Sequence, residues 1–593
     1  MDESKIKEIK EILWISGLKN AVEFKGTPNK KAIMGKLMGK REDLRPYAKD
    51  IIPILDKIVE KISDLEFEQQ RRRLLELDPD ALKEEETQEQ EKELPELPNV
   101  DNYKKVIMRL APYPSGALHI GNARMVVLND QYTKRYNGEL ILFFDDTIGS
   151  SKLLREQEPE KAKYVLPEAY DLIKEGLEWL GAKYSKKYYK SDRLNHYYEY
   201  SEKLIEDNMA YVCSCSAEEF KEKYIKNKKE CPHRNQTVEK NLKEWKKMLN
   251  GEYHETDAVV RLKTGMGHKD PALRDQIIMR ISEASHPRVK TKYSVWPMLE
   301  FSWAIDDHLI GVTHILRGTD LIKEDYIEEF IWDHFEWKKA EFLHYGRINF
   351  PNMKLSKTSA RNKILKGEYD GWDDPRTWSL QSIKKRGILP EALRDTLLDL
   401  GMSTSGITFS VNWLYAKNQA LIDDISYRYF FVENPVKLII EDVPFEKIIA
   451  EPLLLPSKPE KGRRKIECNI NNNQLIVYIA EADAKDRESD EIIRLKDLFN
   501  IEIISIKLSQ NLIKSQFHSK ELNREFPIIH WVPNDKKIHV KILKPDGFIS
   551  EGYGEQNLLE IPMKKTIQFE RYGFVNPIRK DLKKGELFCY FTH

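Results

Sequence analysis

The chain reads as a multidomain α/β plus all-β protein, with a helical start, a parallel α/β core interrupted by an insertion, a helical stem and antiparallel β-barrels at the end. Three observations carry this. Its 593 residues exceed the roughly 250–300 that one hydrophobic core fills. From about residue 104, short apolar runs alternate with helical stretches, KVIMRLAPYP, then NARMVVLNDQYTKRY, then LILFFDD, which is the strand, loop, helix, strand opening of a parallel α/β domain. After about residue 430 the chain turns to short β-type runs between turn residues, QLIVYIA, IEIISIKL, PIIHWVP, KIHVKILKPDG, KTIQFERYGFV and ELFCYFTH, the spacing of one or two barrels.

Taken in order, residues 1–83 form a helical N-terminal extension, because ILWISGLKNAV and IIPILDKIVEKISDLEF keep helical periodicity around the polar break KGTPNKK. Residues 84–100 fall in KEEETQEQEKELPELPNVD, an acidic stretch with few apolar residues, expected to be a solvated linker. The parallel domain fills 101–210 and resumes at 301–325 with SWAIDDHLIGVTHILRG. Between the halves, 211–300 is a polar insertion. A helical stem with the polar loop NMKLSKTSARN spans 326–430, and the β-rich region spans 431–593. No repeat of solenoid period occurs.

Composition narrows the class without naming a function. Apolar residues at 40% and charged residues at 33% give a soluble balance with a heavily charged surface. No stretch approaches the roughly 20 apolar residues of a membrane span. The start MDESKIKEIKEILW lacks the apolar core of a signal peptide, so a cytoplasmic location is expected. Five cysteines suit a reducing compartment. A formal net charge of zero leaves nucleic acid open as a partner, since binding needs a local basic face.

The densest motif is PYPSGALHIGN, Pro112 to Asn122, between an expected strand and an expected helix. Pro112 and Pro114 fix an extended lead-in, while Gly116 and Gly121 let a ligand approach the backbone. The helix that follows aims its N-terminal dipole into the loop, where His119 can donate to phosphate oxygens. Alone, this is an ordinary strand-to-helix turn. Far downstream comes KLSKT, with Lys354, Ser356, Lys357 and Thr358, two lysines able to surround a polyphosphate and stabilise departing pyrophosphate. Alone, such a pair is solvated surface. Together and in this order the two loops resemble the HIGH and KMSKS signatures of class I aminoacyl-tRNA synthetases.

Further segments, MRLAPYPSGALHIGNARMVVLNDQYTKRYNGELIL, LEWLGA, THILRG, GWDDP, IIHWVP and QFERYGF, resemble the archaeal type of glutamyl-tRNA synthetase over essentially the whole chain. The resemblance implies a Rossmann-type catalytic domain that joins glutamate to ATP as glutamyl-adenylate, with Mg2+, and passes it to the 3′ end of tRNA(Glu), tRNA(Gln) staying open as a second acceptor. It assigns catalysis to His119, Asn122, Lys354 and Lys357. ATP contacts fall to these four and to Pro112, Pro114, Gly116, Gly121 and Ser356. Arg109 pairs with the side-chain carboxylate of glutamate, which suits a planar, permanently charged guanidinium. Asp145 holds the substrate ammonium, Arg317 is a second arginine facing the substrate, and Ala111 and Ser115 line the same pocket. The acceptor end goes to the insertion and the anticodon to the barrels. No DNA or membrane partner is implied, and the N-terminal extension is left as a docking element for a protein partner or a solubilising one.

Several positions depart from the family pattern: Asn122 stands where histidine is usual, Tyr113 where a small polar residue is common, Phe143 and Ile148 replace arginine and aspartate, and Leu299 and Trp303 occupy positions that are tyrosine and asparagine in the bacterial branch. These keep a non-charging tRNA-binding paralogue as an alternative, beside a glutaminyl enzyme, since related enzymes keep an arginine at the Arg109 position too, and a small-molecule nucleotidylyltransferase that shares the first loop. In the insertion, Cys213, Cys215, Cys231 and His233 have the ligand types and two-turn spacing of a structural tetrahedral zinc site, with free cytosolic cysteines as the alternative.

Overall fold

The computed structural model describes residues 3–23, 28–41, 44, 47–65, 67–78, 94–351 and 353–593. It divides into two compact units, 1–92 and 93–593. In the first unit, helices α1 (Glu3–Glu23), α2 (Lys30–Lys40), α3 (Ala48–Ser63) and α4 (Phe67–Leu77) bury one apolar stripe each, with Ile9, Leu13, Leu37, Leu55, Ile62 and Leu74 in a common core. The Gln70 amide donates to the carbonyls of Ile62 and Leu65 at 2.9 and 3.1 Å, closing the end of α3 that its helix leaves unsatisfied.

The greater part of the expected acidic linker, 84–93, lies outside the described residues; in its last part, 94–100, Pro95, Glu96, Pro98 and Asn99 are exposed but the segment is anchored at Leu97. Leu97 is buried against the core of the second unit, and its N–H donates to the Tyr136 hydroxyl at 2.9 Å. The apolar residues Leu94, Leu97 and Val100 outweigh the acidic composition around them.

Strands β1 (Ile107–Leu110), β2 (Glu139–Phe144) and β3 (Lys186–Tyr189) pair in parallel. The insertion forms its own antiparallel sheet, β4 (Ala210–Cys213), β5 (Val259–Leu262), β6 (Ile277–Ile281) and β7 (Val295–Pro297). The chain then returns as β8 (His314–Gly318) and β9 (Glu341–Tyr345), again parallel. β8 lies beside β1, where the Thr313 N–H donates to the Ile107 carbonyl at 2.9 Å. The spatial order is therefore 3-2-1-8-9, and the order reverses at β1. In such sheets the crevice at the carboxyl ends of the strands beside the reversal is where ligands bind. Because β9 extends this sheet, the expected helical stem of 326–430 begins only after Tyr345. EFLHY is partly exposed along its whole length, so the strand carries no apolar alternation to betray it.

Helix α5 (Ile120–Arg135) packs on β1 and shares a core with the stem helices. A second core joins the insertion sheet to the helices Leu299–Ile310 and Ile322–His334.

The C-terminal region carries two seven-stranded sheets. In the first, the terminal strands Arg428–Tyr429 and Phe431–Glu433 are the two halves of one segment, interrupted at Phe430. In the second, the terminal strands Ile528–Ile529 and Val532–Pro533 are likewise one segment. A segment that begins on one edge of a sheet and ends on the other closes it, so both sheets are barrel-like and spare their edges from open exposure. The expectation of purely antiparallel strands does not hold: Val436–Glu441 pairs in parallel with Leu512–Ser519, and Lys537–Leu543 with Glu586–Phe591. These partners are distant in sequence, and turn residues mark only the pairing of consecutive strands.

Candidate active site

The site grows from the carboxyl end of β1. After Leu110 the chain runs through Ala111, Pro112, Tyr113 and Pro114, then turns at Gly116, whose φ is +146°. A Cβ there would stand 2.1 Å from the Trp372 ring, so this residue must be glycine on both backbone and packing grounds. His119 is the N-cap of α5, and its Nδ1 accepts from the Gly121 N–H at 3.1 Å while the Asn122 side-chain oxygen accepts from the His119 N–H at 3.2 Å. Since Nδ1 accepts, the ring proton sits on Nε2. Burial, helped by the Lys357 ammonium, pushes the His119 pKa down to about 4. At neutral pH this histidine is an uncharged donor. Asn122 uses its oxygen in the cap, which leaves its NH2 as its free polar group.

The loop is braced from the stem. The Leu380 N–H donates to the Leu118 carbonyl at 2.8 Å and the Ile120 N–H to the Trp378 carbonyl at 3.0 Å. Asp374 accepts from the backbone and side chain of Arg376 at 3.0 and 2.8 Å. The GWDDP segment is thus a support beneath the first loop.

Ser356 caps the helix Lys357–Leu365, accepting from the Ser359 N–H at 3.2 Å. Lys357, first in that helix, reaches back until its ammonium lies 3.5 Å from the Tyr113 carbonyl. No carboxylate pairs with it among the described residues, and burial alone draws its pKa down to about 8. A desolvated cation beside a helix N-terminus and an uncharged histidine donor has the chemistry to hold an anion.

A cavity of about 610 Å³ opens between these loops. Of the residues expected from sequence, Ala111, Pro112, Ser115, Asn122, Asp145 and Lys357 line it. His119 and Ser356 line an adjoining niche with Lys357, Trp372 and Ser379. Pro114 lies just outside, its carbonyl accepting from the Leu166 N–H at 2.9 Å, and Gly116 and Gly121 shape the backbone. Lys354 is exposed and lines neither space. Arg280, from β6, borders the cavity and donates to the carbonyls of Ile148, at 2.8 Å, and Gly149. The Tyr113 ring also lines it, and its hydroxyl packs where a Cβ on Gly149 would lie, so the departure at Tyr113 is accommodated by a glycine.

The two arginines do not line the cavity. Arg109 is held by Asp307 through Nε and Nη2, both at 2.6 Å, and lies 3.6 Å from the centre of the Trp303 ring. Its Nη1 carries no hydrogen bond among the described residues. Arg317 is paired with Glu328 at 2.7 Å and with Asp325. Sequence reasoning missed Asp307 and Lys190. Lys190 is fully buried, and its ammonium lies 3.2 Å from Asp145, 2.5 Å from the Ser302 hydroxyl and 3.6 Å from the centre of the Trp303 ring. The only signal for it was a lysine ending KYSKKYYK, where it looked like one more surface charge.

In the insertion, the side chains of Cys213, Cys215, Cys231 and His233 converge, their ligand atoms all within 4.8 Å of one another. Cys213 and Cys231 sulfurs are 3.9 Å apart, and His233 Nδ1 is 3.8 Å from Cys213 and 3.4 Å from Cys215. A tetrahedron with bonds of about 2.3 Å to sulfur and about 2.0 Å to nitrogen has edges of about 3.5–3.8 Å. His233 Nε2 lies 2.9 Å from the Ser214 hydroxyl, the outer-shell partner that such a ligand needs.

Three family descriptions match the chain: "tRNA synthetases class I (E and Q), catalytic domain" over 105–424, and two "anti-codon binding domain" descriptions of the same group over 426–519 and 528–577. Proteins named glutamate–tRNA ligase are similar over nearly the full length. One from Methanocaldococcus jannaschii is 41% identical, covering 97% of this chain and 98% of its own. One from Pyrococcus furiosus is 40% identical, with 96% and 97% covered. One from Thermococcus onnurineus is 40% identical, with 99% and 100% covered.

Proposed function

The chain belongs to the class I tRNA synthetases of the E and Q group, and from that premise we propose that it is a glutamate–tRNA ligase. It joins L-glutamate to ATP, supplied as its magnesium salt, to form glutamyl-adenylate and pyrophosphate, and transfers the glutamyl group to a hydroxyl of the terminal ribose of tRNA(Glu), releasing AMP. The observation that carries the reading is the cavity bordered at one end by the uncompensated Lys357 ammonium and the His119 loop and at the other by Asp145.

In this reading the triphosphate lies across Lys357, His119 Nε2 and the Asn122 amide. Chemistry there is positioning and charge stabilisation, with no covalent enzyme intermediate. Asp145 receives the glutamate ammonium, and the free Nη1 of Arg109, already oriented by Asp307, receives the side-chain carboxylate. A planar donor in a buried setting prefers an acid over an amide. Arg317 acts from behind, through its pairs with Glu328 and Asp325, and Lys354 approaches the phosphates when the loop moves. The insertion receives the acceptor end and the barrels the anticodon, with tRNA(Gln) as a second acceptor. The domain limits set out from sequence, amended at 94–100 and at β9, describe these parts, and the N-terminal unit serves a protein partner. Among the described residues no helix is long and apolar enough to cross a membrane, which accords with a cytoplasmic enzyme.

Cys213, Cys215, Cys231 and His233 hold a structural zinc ion. All four ligands come from the protein, so no position stays open for substrate. Metal analysis of the purified protein tests this: one zinc per chain, lost in Cys231→Ser, is the expected result. The catalytic reading is tested by charging with labelled glutamate and glutamine. Glutamate incorporation into tRNA(Glu) is expected, and tRNA binding without charging would leave only the non-catalytic paralogue.

A further inference from the structure

A fully buried lysine stands behind the cavity wall, and its surroundings say what it does. The Lys190 ammonium meets the Oδ1 atom of Asp145 at 3.2 Å, the Ser302 hydroxyl at 2.5 Å and the Trp303 ring at 3.6 Å. Ser302 in turn donates to the Leu299 carbonyl at 2.8 Å, which directs the hydroxyl lone pairs at the lysine. Arg109 contacts the same indole at 3.6 Å, and Phe143 meets it edge to face with centroids 5.1 Å apart. The unusual residues Phe143 and Trp303 therefore build the wall of a slot that holds one lysine. Thr147 also reaches Oδ1 of Asp145, at 3.4 Å. Among the described residues Oδ2 has neither a hydrogen bond nor an ion pair, while Asp145 itself lines the cavity.

Stability does not explain this arrangement. Taking an ammonium and a carboxylate out of water costs more than their attraction commonly returns, and apolar replacements of such pairs are often neutral or stabilising. The pair makes sense as a device for orientation. A carboxylate at a cavity edge rotates about its last torsion; one whose first oxygen is clamped presents the second in a fixed direction. The charged neighbours are accounted for: Arg109 is taken by Asp307, Arg193 and Tyr197 by Asp306, and Asp146 by Ser191 and Tyr170. Glu300 accepts from Gln276. Lys190 is the cation left to Asp145.

We propose that Lys190 is a positioning residue of the amine end of the pocket, holding Oδ1 of Asp145 so that Oδ2 is aimed at the ammonium of the bound amino acid. The inference rests on the glutamate reading and deepens it. Lys190 makes no contact with substrate; it acts through Asp145, and through the shared indole it joins the amine end of the pocket to the Arg109 end.

The test compares wild type with Lys190→Met and Lys190→Arg in tRNA-dependent charging. In Lys190→Met the KM for glutamate rises about ten-fold, the worth of one charge-assisted hydrogen bond, while kcat and the KM for ATP stay within about two-fold of wild type. Glutarate, with both carboxylates but no amine, inhibits wild type and variant equally, and Lys190→Arg recovers part of the loss. A glutamate KM unchanged in Lys190→Met overturns the inference, as does equal weakening of glutamate, glutarate and ATP with no recovery in Lys190→Arg, which marks a packing role only. Should Lys190→Met be insoluble, Lys190→Gln is read against the same outcomes. A wild-type enzyme that charges no glutamate sinks the underlying reading instead, so the two failures are distinct.

Discussion

The two ends of the cavity treat positive charge in opposite ways. At the phosphate end, Lys357 has no carboxylate partner among the described residues, and His119 is an uncharged donor with its proton on Nε2. Around Asp145 the buried cations behind the cavity wall are paired with carboxylates, Arg109 with Asp307, Lys190 with Asp145, Arg193 with Asp306 and Arg317 with Glu328 and Asp325, while Arg280 on the cavity edge is held by the Ile148 and Gly149 carbonyls. The first end thus keeps a cation that the protein leaves uncompensated, which on the proposed reading is met by the phosphates. The second uses its charges to fix geometry, and on the proposed reading it selects by the few donors and acceptors left over, Arg109 Nη1 and Asp145 Oδ2.

That contrast breaks most visibly at Lys357. Replacing it with alanine removes the uncompensated cation, and pyrophosphate exchange should fall about 10²–10³-fold, the usual cost of losing one donor aimed at developing charge, with folding intact by circular dichroism. At the opposite end Arg109→Ala leaves Asp307 buried without its partner. A loss of about 3–5 kcal/mol of stability is expected on removing one member of a buried pair, visible as a lowered melting temperature together with a raised KM for glutamate. Glutamate charging unaffected by this change would refute the carboxylate assignment. Gly116→Ala tests the support beneath the phosphate loop, where strain at positive φ alone costs about 1–3 kcal/mol and the Trp372 contact adds to it; the KM for ATP is the readout.

The ends also differ in pH response. Burial lowers the Lys357 pKa to about 8, so the free enzyme loses this charge as pH rises through that value, whereas a bound polyphosphate favours the charged form. Binding of ATP should take up a proton near pH 8, and its KM should climb above that pH. His119, at about 4, stays neutral across the assay range and adds no second inflection. Lys357→Arg, with a guanidinium that does not titrate there, should flatten the profile.

Much of this was legible in the sequence, unevenly. The PYPSGALHIGN and KLSKT loops carry their chemistry in contiguous residues, but alone each reads as an ordinary turn or solvated surface, and their meeting was expected only from the family resemblance. The β-rich tail was readable from its run lengths, but its parallel pairs were not, since turn residues describe only consecutive strands. β9 escaped because EFLHY is half-exposed and looks like neither a buried strand nor an amphipathic one. The amino-acid end was least readable: Lys190 follows β3 while Trp303 and Asp307 share the distant helix Leu299–Ile310, and in sequence a lysine that ends fully buried looks the same as one in solvent. Arg109 was recognised from its motif, yet its bidentate hold by Asp307, far along the chain, is a tertiary fact. Phe143 and Trp303, which stood out only as departures from a family pattern, acquire a physical reason as the walls around Lys190.

The central claim, that the His119 and Lys357 loops form an ATP site serving glutamate, is tested most directly by glutamate-dependent exchange of labelled pyrophosphate into ATP, with tRNA(Glu) present. Exchange that requires glutamate, is not supported by glutamine and collapses in Lys357→Ala is the result expected. Exchange absent from the wild type, or undiminished in Lys357→Ala, would contradict the account.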